Sequence, residues 1–122
     1  MRPVVWLDGS PWSWEAFGYA AELARGRGVG LVAVCDPSVP EEDRARAVRE
    51  GATRGVAVEV RVPEAGRRTE VEVCRAGEEE GAEVVVAPRR TATRKVVLSA
   101  GVVWLLANAP GPVVVYRSPR GP

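Results

Sequence analysis

The sequence predicts a single α/β domain over residues 1–122, built on a mostly parallel β-sheet. Short valine-rich runs without polar alternation recur along the chain, segments of helical periodicity separate them, and glycine or proline punctuates the boundaries. Strands that alternate with helices imply right-handed crossovers, which give a parallel sheet with helices on both faces. With 122 residues, 46% of them hydrophobic, the chain can bury a core without disulfides or a metal.

The first strand and helix are the best marked. Val4–Leu7 is apolar on both faces and predicts a buried strand, and the turn residues that begin at Asp8 end it. Ser10 predicts a helix N-cap with Pro11 at the first helical position. Glycines 26 and 28 are expected to end this helix.

The middle of the chain predicts a second strand, a helix and an edge strand. Residues 30–35 form a second apolar run, and prolines then prevent the strand from continuing. Residues 41–54 read as a charge-rich helix closed by Gly55. Residues 56–62 become alternately polar, which predicts a strand at a sheet edge.

The last third predicts a helix, a strand, a helix and a strand. Thr69 with Glu72 forms a capping box that opens a helix through residue 80. Residues 83–87 predict the fourth strand. Residues 96–109 predict an apolar helix broken by a proline, and residues 112–116 the last strand.

Composition excludes several kinds of chemistry. The chain has no histidine, which removes the commonest general base, the commonest zinc ligand and all Ser-His or Cys-His nucleophiles. Cys35 and Cys74 stand in apolar segments, no secretory signal precedes Pro3, and no apolar stretch would span a bilayer, so we expect a cytoplasmic protein with reduced thiols. The formal net charge of +1 predicts no membrane or nucleic-acid partner and leaves anion binding to local clusters.

Two origins of the unusual composition stay open. The chain lacks Gln and Ile, and Arg carries nearly all positive charge. Adaptation to high temperature predicts this pattern, and so does a GC-rich genome.

Aromatic residues are expected mainly in the core. Trp6 lies in a central strand, and Trp14 and Trp104 lie on apolar helical faces, where aromatic side chains usually pack inside. Trp12 is the exception, because it stands in a first helical turn where it could line a ligand or a partner. Cys74 is expected to be a buried, inert thiol.

A ligand site is expected where the winding of the sheet reverses, beyond the carboxyl ends of the strands, near Asp8 and the loop after Ala87. Asp8 has two interpretations: it accepts from a ligand or holds a cation, or it accepts N–H groups of its own turn. Residues 88–95 also have two interpretations: they form a solvated basic loop, or they form an anion-binding site. The groups involved there are Arg89, Arg90, Arg94, Lys95, Thr91 and Thr93.

Three segments, VVWLDGS from Val4, EEGAEVVV from Glu79 and LLANAPGPVVV from Leu105, resemble the universal stress protein family almost end to end. The resemblance implies a Rossmann-like fold of the adenine nucleotide alpha hydrolase type, with five parallel strands in the order 3-2-1-4-5. It also implies a homodimer formed through the last strand, Val113, Val114 and Val115. Some members of the family bind ATP and others do not.

The family's nucleotide signature, of glycines followed by a hydroxyl residue, falls on Ala87, Arg90, Ala100 and Gly101. None of the four keeps the family's residue, which predicts weakened or lost ATP binding, because glycines let backbone N–H groups approach phosphate. The same resemblance implies that Asp8 lies near a nucleoside and that Val34 meets adenine through its backbone, while the simpler interpretation of Val34 is a core residue. The candidate ligand contacts are therefore Asp8, Val34, Ala87, Arg90, Ala100, Gly101 and Val102.

Three functions follow from these residues. The leading hypothesis is a non-enzymatic universal stress-type protein, a dimeric binding or signalling module in stress response, with no metal and with ATP as its one candidate cofactor. The alternative is an ATP- or AMP-binding protein that uses Arg90 and Arg94 in place of the glycine loop. The remote alternative is an aspartyl phosphotransferase built on Asp8, although Ser10 stands where such enzymes carry a second Asp.

Overall fold

The computed structural model describes residues 1–93 and 95–118. In chain order the elements are β1 (Val4–Leu7), α1 (Pro11–Arg27), β2 (Leu31–Cys35), α2 (Glu41–Thr53), β3 (Val58–Arg61), α3 (Thr69–Glu80), β4 (Val84–Val86), β5 (Arg89–Arg90), β6 (Val96–Val97), α4 (Ala100–Asn108) and β7 (Val113–Val115). Five strands form a parallel sheet in the order β3-β2-β1-β4-β7. Counted along this sheet alone, that is the predicted order 3-2-1-4-5, with β3 at the predicted edge.

Period-two alternation along the strands divides the core into two layers. Val5 and Leu7 of β1 face one side, where they pack with Phe17 of α1. Val4 faces the other side and packs with Leu105 of α4. The prediction of helices on both faces is confirmed.

Helix α1 begins and ends where its capping residues require. The Ser10 hydroxyl accepts from the backbone N–H of Ser13 at 3.1 Å, and Pro11 occupies the first helical position. Gly28 is left-handed, with φ 69°, and closes the helix at Arg27. Gly26 lies inside the helix, so the expectation that it helps to end α1 was wrong.

Helix α3 begins without the predicted capping box. Arg68 occupies the N-cap position and makes no side-chain cap bond, while Thr69 is already the first helical residue and is buried. Thr69 is therefore buried as the first helical residue and does not serve as the N-cap.

The predicted helix over residues 96–109 begins only at Ala100. The Ser99 hydroxyl caps it by accepting from the backbone N–H of Val102 at 3.2 Å. Val96 and Val97 instead pair with Arg90 and Arg89 in an antiparallel hairpin, β5–β6. Apolar composition gave no sign of this boundary, because β-branched residues fit a strand as well as an apolar helix.

Among the helices in the described part of the chain, none combines the length and apolar character needed to cross a membrane.

Candidate functional site

A narrow pocket opens where the carboxyl ends of β1 and β4 meet, which is the point at which the winding of the sheet reverses. We call it the switch-point pocket, and its lining is Trp6, Asp8, Val86, Ala87, Arg89, Ser99 and Val102. Its volume of about 20 Å³ has room for about one water molecule. The pocket is at the predicted place but is too small for a nucleoside.

Asp8 follows β1 directly and is engaged by its own turn. Its Oδ1 accepts from the backbone N–H of Ser10 at 2.8 Å, while its own N–H donates to the Ser13 hydroxyl at 3.4 Å. This is the local arrangement that an Asx residue makes at a strand end. Asp8 lines the pocket and at the same time orders the entry to α1.

Trp6 crosses the space above the strand ends. Its indole Nε1 donates to Asp36 Oδ1, 2.8 Å away, and Asp36 is the first residue after β2. At the other end of the side chain, the six-membered ring lies against Gly101 in the first turn of α4. The half-buried indole therefore reaches from the end of β2 to the start of α4.

Gly101 provides the space for that ring. A Cβ atom at this position would lie 2.5 Å from Trp6 Cη2 and 2.8 Å from a carboxylate oxygen of Glu70. Contacts this short do not occur between real Cβ atoms and their neighbours, and Gly101 is buried. A side chain at position 101 would therefore need the room that the indole occupies.

Val34 lies beside Trp6 and is covered. The two residues are partners in the β1–β2 register, so their side chains stand on the same face of the sheet. Val34 is completely buried in the layer that contains α3 and α4. The resemblance implies a ligand contact through the backbone of Val34, which burial of its side chain leaves untested.

The seven predicted site residues divide by position. Asp8, Ala87 and Val102 line the pocket. Val34 and Gly101 lie against Trp6, behind the pocket.

The other two predicted contacts lie outside the lining. Arg90 is half-buried in β5, and Ala100 is exposed at the start of α4. Of the alternative pair of arginines, Arg94 lies outside the described residues. The cation that the structure brings to the pocket is Arg89 instead.

Sequence reasoning missed Trp6 and Ser99 as lining residues, whereas it had named Arg89 within the possible anion site of residues 88–95. Trp6 was expected to be ordinary core, yet it stands two residues before the strand-end Asp8, on the face turned to α4, which is the signal that could have revealed it. Ser99 was absorbed into a helix predicted to start too early. Its hydroxyl lies two residues before Gly101, where the loss of a hydroxyl had been inferred.

The pocket offers little acid–base or metal chemistry. Asp8 is the single carboxylate in its lining, and no second acid stands there to protonate a leaving group. Within residues 1–93 and 95–118, no group of three or more acidic or cysteine side chains is placed to hold a metal ion. The arrangement supplies hydrogen bonds and one cation.

The two cysteines are protonated thiols in different surroundings. Cys35 is buried in β2, and burial raises its pKa to about 11. Cys74 is half-buried rather than buried as predicted, and desolvation again raises its pKa. Neither thiol has the lowered pKa of a reactive cysteine.

The strand order and the helices on both faces define a class, α/β proteins built on a twisted parallel sheet whose winding reverses at β1 and β4. A universal stress protein from Archaeoglobus fulgidus is similar over 94% of this chain and 97% of its own, with 23% identity and a TM-score of 0.77. A member of that family from Burkholderia pseudomallei is 24% identical over 95% of both chains, with a TM-score of 0.67. The chain has the fold of the universal stress proteins, and the predicted resemblance is confirmed in the structure.

Two further similar structures contain nucleotides. One is the Archaeoglobus fulgidus universal stress protein in complex with dAMP, 20% identical over 94% of this chain and 96% of its own, with a TM-score of 0.72. The other is a universal stress protein in complex with cAMP, 16% identical over 94% and 95%, with a TM-score of 0.59. A scan against models of protein families found no match, and a search of curated proteins found no significant one.

Proposed function

We propose that this chain is a non-enzymatic, cytoplasmic universal stress-type protein, a binding or signalling module in stress response that has lost nucleotide binding. One observation carries the proposal. The indole of Trp6 occupies the space between the end of β2 and the start of α4, held by Asp36 on one side and by Gly101 on the other.

An adenine ring and an indole are both flat and bicyclic, so they compete for one slot. By the resemblance we expect adenine at the backbone of Val34 and the phosphates near the start of α4, and the Trp6 indole lies between these two positions. What remains has a volume of about 20 Å³, against the several hundred Å³ typical of small-molecule sites. An internal aromatic side chain thus replaces the base that similar proteins bind.

The absence of the phosphate-binding glycines supports the same proposal. Ala87 and Ala100 carry Cβ atoms, and Arg90 belongs to a hairpin strand instead of a turn that could wrap a phosphate. The non-enzymatic part is supported by the lining of the pocket, where Asp8 already accepts from the N–H of Ser10.

Titration of nucleotide-free protein with ATP, ADP, AMP and adenosine, followed by calorimetry and thermal shift, tests the proposal. We expect no saturable binding by the native chain. Trp6→Ala should gain binding of adenosine or AMP, because it opens the slot beside Val34. Trp104→Ala is the matched control, since Trp104 is also a half-buried tryptophan that packs on the same core layer, away from the pocket lining.

Saturable binding of ATP or AMP by the native chain would show that the indole moves aside, and the proposal would be wrong. Failure of both the native chain and Trp6→Ala to bind would assign the loss to the altered 87–101 segment instead of the indole.

We also propose that the chain forms a homodimer through β7. Edge strand β3 carries Glu59 and Arg61, charges that discourage strand addition, whereas edge strand β7 presents only valines. Tyr116, just after β7, stacks on Tyr19 of α1 at 4.7 Å and holds the end of the strand in place. A rigid, uncharged edge of this kind favours pairing with a second copy.

Light scattering of the native chain should give the mass of a dimer, and Val115→Pro should give that of a monomer. Tyr116 donates its N–H inward to Val86, so the N–H of the preceding Val115 points away from the sheet and its loss spares the internal ladder. Circular dichroism checks that the variant folds. A monomeric native chain at high concentration contradicts this proposal.

A further inference from the structure

The charges of the chain are segregated along its length. All 16 acidic residues lie within residues 1–83, together with 11 of the 17 basic residues. Residues 84–122 hold the other six basic residues and no acid, so the first segment carries a formal charge of −5 and the second +6. The net charge of +1 hides this asymmetry, which is typical of proteins that meet an anionic surface.

The same segment exposes apolar side chains. Of the eight large hydrophobic residues that are exposed in the described part of the chain, five lie between positions 96 and 106. Their side chains are 40–52% exposed. They are Val96 and Val97, which stand on opposite sides of the hairpin, together with Leu98, Val103 and Leu106, and we call this stretch the hairpin–helix face. Concentration of exposed aliphatic groups in so short a stretch marks an interaction surface.

The hairpin places cations directly beside these apolar groups. Arg89 stands opposite Val97 and Arg90 opposite Val96 in the β5–β6 register, and neither strand joins the main sheet. None of the Asp and Glu side chains, all of which lie in the described residues, forms an ion pair with Arg89, Arg90 or Lys95. The hairpin thus presents aliphatic and cationic groups together without internal neutralisation.

We propose that the hairpin–helix face docks peripherally on an anionic lipid surface. Lysine and arginine near such a surface gain from its negative potential, and aliphatic side chains gain by entering the boundary between headgroups and acyl chains. The inference goes beyond the proposed function, and it replaces the expectation, drawn from net charge alone, that no membrane takes part.

Other occupants fit the face less well. Nucleic-acid surfaces use polar donors for phosphates and exposed aromatic rings for bases, and neither purpose is served by five valine and leucine side chains. Two copies of this face in symmetric contact would bring like charges together, because no acid lies after Glu83. Protein hot spots favour aromatic residues over leucine and valine.

Co-sedimentation of the full chain with vesicles tests the proposal. We expect binding to vesicles of phosphatidylcholine mixed with phosphatidylglycerol, little binding to phosphatidylcholine alone, and loss of binding at high salt. Arg90→Glu with Lys95→Glu should weaken binding by about tenfold or more, since each charge contributes separately. Val97→Ser with Leu98→Ser should weaken it several-fold while leaving the salt dependence unchanged.

Helix α2 offers matched controls. Arg49 and Val48 are both exposed there, so Arg49→Glu repeats a charge reversal and Val48→Ser repeats an apolar change. These variants should bind vesicles as the native chain does. Circular dichroism confirms that every variant is folded, so that a loss of binding reports on the face.

Four results would overturn the proposal. The first two are no binding to phosphatidylglycerol vesicles, and a loss of vesicle binding in the α2 controls equal to that in the hairpin variants. The third is binding of an RNA duplex in preference to vesicles. The fourth is a change of oligomeric mass in Val103→Ser with Leu106→Ser without any change in vesicle binding. The last would make the face a contact between copies. Because no nucleotide enters these assays, their outcome is independent of the titration that tests the proposed function.

Discussion

The two ends of the parallel sheet are closed in different ways. At the amino end, Arg2 donates to Glu80 at 2.7 Å and to Glu59 at 2.9 Å, and so ties α3 to edge strand β3. Arg61, the last residue of β3, donates to the same Glu59 at 2.8 Å and to Glu79 of α3 at 2.6 Å. At the carboxyl end the closure is a single indole, which is packed against a glycine and held by one hydrogen bond.

This difference concerns both energy and function. Ion pairs between partly exposed side chains each contribute little, because water already solvates the charges. A ring packed without a gap depends on the shape of every neighbour, so one added carbon is felt. The carboxyl end of a parallel sheet is also where ligands bind, so the tightly packed closure stands at the functional end.

Gly101→Ala tests the packed closure and has the largest expected effect. The new Cβ would lie 2.5 Å from the Trp6 ring, so we expect a loss of about 1–3 kcal/mol in the free energy of unfolding. In a Trp6→Ala background, itself destabilised by about 3 kcal/mol through the cavity it leaves, the same change should cost much less. Urea unfolding of the four proteins measures this coupling.

Gly26→Ala is the control for helix propensity. Gly26 also lies in a helix, but nothing lies within 4 Å of a Cβ built there, so alanine should stabilise the chain by about 0.5–1 kcal/mol. Additive effects of Gly101→Ala and Trp6→Ala would show that the indole does not rest against the glycine, and the account of the closed pocket would fail.

The two closures also differ in how far the sequence could predict them. Strand order and both core layers follow from periodicity and crossover rules, because those depend on which residues are apolar. The start of α4 was missed because a single hydroxyl, that of Ser99, decides it. The packing of Trp6 against Gly101 was missed because it depends on a side chain reaching from β1 to the start of α4, a contact between residues 95 positions apart.

The charge segregation also shows that local sequence does not predict how segments pair in the fold. The order of acids and bases along the chain can be read directly, but whether β5–β6 forms a hairpin and leaves its valines exposed depends on pairing between Arg89 and Val97. The apolar run predicted a helix from residue 96 instead of this hairpin. The local sequence pattern therefore predicts the scaffold well. It is a poor guide to the pocket and to the hairpin–helix face.

The contribution of the ion-paired amino end to the free energy of unfolding should depend on pH. This is the smallest effect that we expect. Arg2 holds the pKa of Glu80 at about 2, below the 4.5 of an unperturbed Glu. A carboxyl with a lowered pKa in the folded state stabilises that state above pH 4.5, and this contribution is lost as the pH falls from 4.5 to 2. Because the pair is partly exposed, we expect about 1 kcal/mol or less.

Urea midpoints measured at intervals from pH 7 to pH 2 provide the test. Glu80→Gln should lower stability at pH 7 and flatten the decline between pH 4.5 and 2, because the side chain that takes up the proton is gone. Glu64→Gln is the matched control, because Glu64 is exposed and its replacement should leave the pH profile unchanged. An unaltered profile in Glu80→Gln would mean that the Arg2 pair does not hold the amino end together, and the packed carboxyl end would then be the single closure that matters to stability.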